Sequence, residues 1–240
     1  DVAPSRGLGD VYKRQFHDDA KAFLRILHDW DQWGMCQVQM NILDDENQAT
    51  LEGIREAGRR GVGVVVMEPL RGGLLANPPV DVKAVYDAYA VRRSPVEWGF
   101  RYLYAMPEVI TILSGMSTWA QVTDNLRIFD MAKRPTLTDE ELALYQKVKA
   151  TYLARTKTRC TGCKYCQPCP MGVQIPRIFQ GYDAAMLRTD SSFKAGYAQI
   201  QADHADASQC IHCRKCERVC PQHLPITRFL EEIHAASAAE

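Results

Sequence analysis

Residues 61–75 read GVGVVVMEPLRGGLL, and the first half of this stretch decides the fold. Val62 to Met67 is a nearly continuous β-branched run, as expected of a strand buried on both faces of a parallel sheet. Upstream, Gln48 to Arg60 reads as a helix ended by Gly61, and Met35 to Asn41 alternates. Cys36, Val38 and Met40 fall on one side of that segment and Gln37, Gln39 and Asn41 on the other, the period of a strand. Asp18 to Trp30 carries a helical apolar stripe at Ala22, Phe23, Leu24, Ile26 and Leu27. Downstream, Ser94-Pro95-Val96-Glu97 is a helix start with Ser as cap, Pro at the first position and Glu three residues on. That helix runs to about Ala105, and Val109 to Leu113 is a third strand. A helix from Ser117 to about Phe129 follows, and a capping box at Thr138–Glu141 opens a helix to about Arg155. Strands separated by helices imply right-handed crossovers and a parallel α/β sheet. Three strands make a small sheet, and pattern alone leaves an open doubly wound sheet and a closed eight-stranded barrel both standing.

The chain has 240 residues, 46% of them apolar and 24% charged, enough to bury one large core or two modest ones. Lys plus Arg and Asp plus Glu both number 29, so no net field draws the chain to nucleic acid or an anionic membrane. The longest apolar run, Gly61 to Met67, falls far short of the roughly 20 residues of a membrane span. Asp1 to Gln15 fits no element. Within it SRGLGDVYKRQ resembles a translated sequencing-adaptor read-through, which implies that the native protein continues upstream. The expected organisation is a non-native or disordered leader over 1–15, an α/β domain over 16–155 and a cysteine domain over 156–240.

Eight of the nine cysteines fall in two groups: Cys160, Cys163, Cys166 and Cys169, then Cys210, Cys213, Cys216 and Cys220. Cys36 stands apart, as a buried strand residue. Tight groups behind a long cysteine-poor region indicate metal ligation in a reducing compartment, hence the cytoplasm. The second group has three cysteines at intervals of three and a fourth four residues on, followed by Pro221, which is the bacterial ferredoxin run. The first group is one residue shorter before Cys169. The expectation is two [4Fe–4S] clusters, with Cys160, Cys163, Cys166 and Cys220 on one and Cys210, Cys213, Cys216 and Cys169 on the other. Zinc and a single cluster are the alternatives, and zinc ordinarily takes two CxxC pairs without a third equally spaced Cys. His212 lies between ligands as a bystander. Helical spacing at Ile175, Ile178, Phe179 and Tyr182, and again over Leu224 to His234, makes this domain all-helical.

Three segments, CQVQMN at 36–41, GVGVVVMEPLRGGLL at 61–75 and TILSGMSTWAQVTDNL at 111–126, resemble in order the sixth, seventh and eighth strands and loops of the aldo/keto reductase family. With the cysteine domain, the chain is similar to ferredoxin-fused members of that family. The resemblance implies the C-terminal half of a TIM barrel followed by an all-helical ferredoxin-like domain. It further implies a nicotinamide cofactor, NADP or NAD. Ser117, Gln121 and Asn125 would meet its phosphate and adenosine portions, Pro69, Leu70, Gly72 and Gly73 would loop over the pyrophosphate, and Gln37 would hold the carboxamide. Free N–H groups at the strand-to-helix junction of Gly115, Met116 and Ser117 would favour an anion. Read without the resemblance, Gly72-Gly73 is an ordinary turn and Ser117 a plain N-cap.

Two departures stand out. Met67 occupies the position where many members carry an aromatic, and Glu68 faces the mouth, with a salt bridge to Arg71 or another nearby base as its plainest role. The loop after Ser117 has no obvious Lys or Arg to read a 2′-phosphate. The family's catalytic Asp, Tyr, Lys and His lie on the barrel's first half, so no catalytic residue is assigned here and these 240 residues alone are expected to be inert. The resemblance implies an oxidoreductase reducing a small-molecule carbonyl compound. Hydride carries two electrons and a cluster one, so a flavin or other gate is expected; the alternative is that the clusters serve structure, redox sensing or electron transfer through a partner protein. The alternative is an iron–sulfur electron-transfer or docking protein whose barrel only binds a ligand.

Overall fold

The computed structural model describes residues 13–16, 19–46, 48–130, 133–160, 162, 164–188, 192–220 and 223–238. The chain forms two compact units, Asp1–Lys149 and Ala150–Glu240.

The first unit begins with β1 (Lys13–Gln15), α1 (Ala20–Asp29), β2 (Met35–Gln39), α2 (Thr50–Arg59) and β3 (Gly63–Met67). A 3-10 turn at Leu74–Ala76, α3 (Val80–Asp87), α4 (Pro95–Tyr104), β4 (Val109–Ile112), α5 (Trp119–Phe129) and the part of α6 (Asp139–Arg155) up to Lys149 follow. The four strands are parallel in the order β1-β2-β3-β4, with Cys36 opposite Val64 and Val38 opposite Val66. Val38, Val64 and Val66 are fully buried, as the β-branched run requires, and Cys36 is buried beside them. β4 is an edge, where Val109 is buried but Ile110 is exposed.

Lys13–Gln15 departs from the expectation that 1–15 fits no element: it pairs with β2, and the Phe16 N–H donates to the Gln37 carbonyl at 2.9 Å. A three-residue edge strand is too short to display alternation and is held by its backbone ladder. The rest of the expected leader, 1–12, lies outside the described residues. Helix starts follow their caps. Ser94 Oγ accepts from Glu97 N at 3.0 Å, and Thr138 and Glu141 bond reciprocally, each at 3.2 Å. α5 is capped by Thr118 rather than Ser117, because only Thr118 has a glutamine, Gln121, at the position that completes the box. α3 had no sequence signature: Pro79 precedes it without a side-chain cap, and only Val82 and Tyr86 are buried along it.

Arg134 ties the end of α4 to the start of β4. Its guanidinium donates to the carbonyls of Tyr104 (2.7 Å), Met106 (2.8 Å) and Val109 (3.0 Å) and lies over the Tyr104 ring. Lys149 on α6 reaches the buried Asp45 carboxylate, which also accepts from Tyr102 Oη at 3.3 Å.

The second unit is helical among its described residues: α7 (Ile175–Arg188), α8 (Ser192–Ala202), a 3-10 turn at Ala207–Gln209, α9 (Lys215–Arg218) and α10 (Ile226–Ala238). Ile178, Phe179, Tyr197, Ile226, Leu230 and Ile233 form its core, and six cysteines (Cys160, Cys166, Cys169, Cys210, Cys216 and Cys220) pack against it half-buried. The buried Asp183 on α7 fixes the segment leading into Cys160. It accepts from Lys157 N (2.9 Å), Thr158 N (3.1 Å), Thr158 Oγ1 (2.8 Å) and Arg159 N (2.7 Å). Among the described residues no helix is long and apolar enough to cross a membrane.

Two substitutions test these anchors. Arg134→Ala is expected to lower the unfolding free energy of the first unit by about 2–3 kcal/mol in urea titrations, since three carbonyls lose a charged donor. Arg134→Lys should recover only part of it, because an ammonium cannot fork across three acceptors. Asp183→Ala should destabilise the second unit by about 2–4 kcal/mol through the unpaired N–H groups it leaves, with Asp183→Asn intermediate.

Candidate functional site

In the first unit, β3 and β4 end at the same edge of the parallel sheet, and their loops enclose a cavity of about 620 Å³. The loop after β3 turns sharply, with positive φ at Glu68 (54°) and then at three successive residues, Arg71 (48°), Gly72 (61°) and Gly73 (86°). The two glycines relieve most of that strain, and a Cβ on either would meet open space. Gly115, on the facing loop, is equally open. Three glycines thus leave backbone uncovered on both loops of the cavity, which fits a ligand lying close to the backbone.

Of the eight residues expected to contact the nucleotide, Pro69, Leu70, Gly72, Gly73, Gln121 and Asn125 line this cavity. The other two stand at its border. Gln37 Nε2 lies 3.5 Å from the sulfur of Met67, a lining residue, and the Ser117 N–H donates to Gln121 Oε1 at 2.8 Å. Asn125 Nδ2 donates to Ser114 Oγ at 3.0 Å, fastening α5 to the end of β4.

The electrostatics differ from the expectation of free N–H groups. Ser117 N and Thr118 N both donate to Gln121 Oε1, and Gly72 N donates to Glu68 Oε2 at 2.7 Å. Glu68 therefore serves its own loop, and the anticipated bridge to Arg71 does not form. Arg71 turns instead to Asp44, at 3.6 Å. The described lining includes two carboxylates, Glu68 and Asp124, and no Lys or Arg. Arg127, nearby, is held by Asp124 (2.9 Å) and Glu97 (3.1 Å).

In the second unit, Cys166, Cys169, Cys210, Cys213 and Cys216 line one cavity of about 190 Å³. This set contains all four cysteines assigned to one cluster, Cys169, Cys210, Cys213 and Cys216, and adds Cys166 from the other. Cys160 and Cys220 pack against the same helical core, and Cys163 lies outside the described residues. Single residues in the left-handed region punctuate both groups: Arg159, Gly162 and Lys164 in the first, His212 and Arg214 in the second. Such backbone turns gather N–H groups into concave nests that suit the sulfur of iron–sulfur centres. Gly162 N already points at Cys160 Sγ, at 3.4 Å. Among the described residues no three His, Cys, Asp or Glu side chains are grouped to hold a single metal ion. A cubane spaces its thiolates around a larger body, so the ring of cysteines about a cavity fits a cluster.

Two supporting residues escaped the sequence reading. Gln167 closes the first turn, donating to the Val173 carbonyl at 2.9 Å and accepting from Cys169 N at 3.1 Å. Glu217, between Cys216 and Cys220, accepts from Thr227 N (2.9 Å) and Oγ1 (2.8 Å) at the head of α10. Burial works against its ionised form, but Thr227 and the charge of Arg214 prevail and hold its pKa below the usual range. Nothing in the cysteine spacing marks these residues: Gln167 bonds within its own turn, and the partner of Glu217 lies ten residues on. His212 turns to Glu231, at 3.5 Å. Burial pushes the Cys36 thiol up to about 12 and that of Cys216 up to about 11, so both are poor thiolates without a cation. For Cys36, which has no cysteine neighbours in sequence, this means an inert core position.

The model of the aldo/keto reductase family matches residues 18–150, and that of the 4Fe-4S dicluster domain matches residues 159–224. Among solved structures, the chain is similar to the aldo-keto reductase AKR11C1 from Bacillus halodurans in its holo and apo forms. Identity is 23% to each, over 56% of this chain and 48% and 49% of those, with a TM-score of 0.45. The chain thus spans about half the length of that protein. No curated protein matches it. With its family match covering more than half its length, the chain belongs to the aldo/keto reductase family and carries a 4Fe-4S dicluster-type segment behind its α/β unit.

Proposed function

We propose that the complete protein is a cytoplasmic oxidoreductase that reduces a small-molecule carbonyl compound with NADP or NAD and carries two [4Fe–4S] clusters. The observation that supports this most is the cavity at the ends of β3 and β4, whose uncovered glycine backbone meets six of the residues that family membership nominates. When bound, the nicotinamide supplies a hydride and each cluster exchanges a single electron. Gly72, Gly73, Pro69 and Leu70 would border the pyrophosphate, Ser117, Gln121 and Asn125 the phosphate and adenosine end, and Gln37 the carboxamide. Met67, whose sulfur is a soft contact for a ring, lies between Gln37 and the cavity. No residue of this chain takes a catalytic role. Its part is to bind and orient the cofactor.

In the second unit the eight cysteines would share the two clusters, and loading them would draw a proton off Cys216, whose thiol burial otherwise keeps protonated. Because a unit of this size has a limited core, ligation would supply part of its folding free energy.

Anaerobic purification followed by iron and acid-labile sulfide analysis should find about eight of each per chain. A colourless, zinc-only protein would overturn the cluster reading. Cys213→Ala should lower the iron content by about half and loosen the second unit; unchanged iron and folding would remove Cys213 from the ligand set. In the first unit, Glu68→Gln keeps an acceptor for Gly72 N but removes a charge from the cavity. It should tighten NAD(P)H binding several-fold by fluorescence titration. Weaker binding would mean that the anionic part of the cofactor lies elsewhere. Cluster reduction without any nicotinamide binding would favour an electron-transfer protein whose α/β unit only recognises a ligand.

A further inference from the structure

We propose that the face of the second unit around its cysteine cavity is the docking surface for an acidic, one-electron carrier protein. The proposal rests on the reading of the cysteines as cluster ligands and adds where, and to what kind of partner, the electrons pass.

The first observation is the distribution of exposed apolar side chains. Among the described residues of the second unit, the large hydrophobic side chains left exposed are Tyr165 (69%), Met171 (41%), Ile211 (60%) and Val219 (53%). All four line the same cavity as the cysteines. Scattered surface apolar residues need no explanation, but four gathered at one opening, with none elsewhere among that unit's described residues, mark an interaction site.

The second observation is charge. In a chain with 29 basic and 29 acidic residues, the segments 159–170 and 210–223 hold five Lys or Arg and one acid, Glu217. That acid is engaged with Thr227. Lys164, Arg214, Lys215 and Arg218 are exposed, and none forms a salt bridge among the described residues, although the charge of Arg214 reaches Glu217. They offset the negative charge of thiolate-bound clusters at short range. Their exposed side chains also present cations to an incoming surface, so the complementary partner is acidic.

The electron count supplies the partner's chemistry. A cluster accepts one electron and hydride delivers two, so the natural counterpart at this face is itself a one-electron carrier. One electron passes between reduced carrier and oxidised cluster, with no bond made or broken and no proton moved. An apolar patch at the cluster opening brings the two centres close, and the surrounding cations steer the approach.

The test uses the cluster-loaded protein, prepared without oxygen, and an acidic flavodoxin, a small FMN protein, as probe. Calorimetric titration at low salt should detect micromolar binding that weakens about ten-fold when salt rises to physiological strength. Ile211→Ser and Lys215→Glu should each weaken binding at least about five-fold with iron content and helical circular dichroism unchanged. Stopped-flow mixing should show electron transfer slowed in parallel. Wild-type affinity in both variants, or no binding by protein with its full iron, would overturn the proposal and leave the clusters standing. Self-association of the wild type that Ile211→Ser abolishes would assign the face to a second copy and equally overturn it. A preparation without iron removes the cluster reading itself, and this proposal with it.

Discussion

Parallel pairing is the constraint on which the rest of the first unit depends. When β2, β3 and β4 run in one direction, every loop leaving a strand does so at the same edge, and segments some 45 residues apart are brought face to face. The glycine loop after β3 and the capped start of α5 meet there because both strands end at that edge. The backbone ladder is fixed by Val38, Val64 and Val66, whose burial on the sheet sets the register. The cavity is thus a product of strand direction, and its lining could vary while its position stayed fixed.

The second unit is organised by sulfur rather than by a sheet. Its cysteines lie mostly between helices, in turns whose backbone repeatedly enters the left-handed region. The chain accepts such turns because polar anchors hold their ends: the buried Asp183 before the first group, the half-buried Glu217 within the second and the half-buried Gln167 across the turn at Cys169.

The fold was legible in the sequence wherever periodicity and caps acted over several residues. β2 alternated over five positions, β3 was continuously apolar, and Ser94 and Thr138 announced their helices through partners three residues away. What escaped was either short or non-local. Lys13–Gln15 has no face to bury, and α3 has two buried residues and no cap. At α5 the one-residue choice between Ser117 and Thr118 turned on where a glutamine falls. At the site, glycine and asparagine positions could be read from the family likeness, whereas the hydrogen bonds could not. Glu68 taking Gly72 N, and Arg71 turning to Asp44, depend on the path of a loop with four positive φ angles. Likewise Asp183 lies 24 residues from Arg159, and spacing carries no trace of that bond.

The oxygens of Glu68 and Gln121 occupy backbone donors at the rim of the first cavity, and this has a kinetic meaning. Both loops keep their shape through internal contacts, so little chain entropy remains to be lost when a guest arrives. An incoming acceptor would therefore have to exchange with a resident oxygen instead of meeting a bare donor.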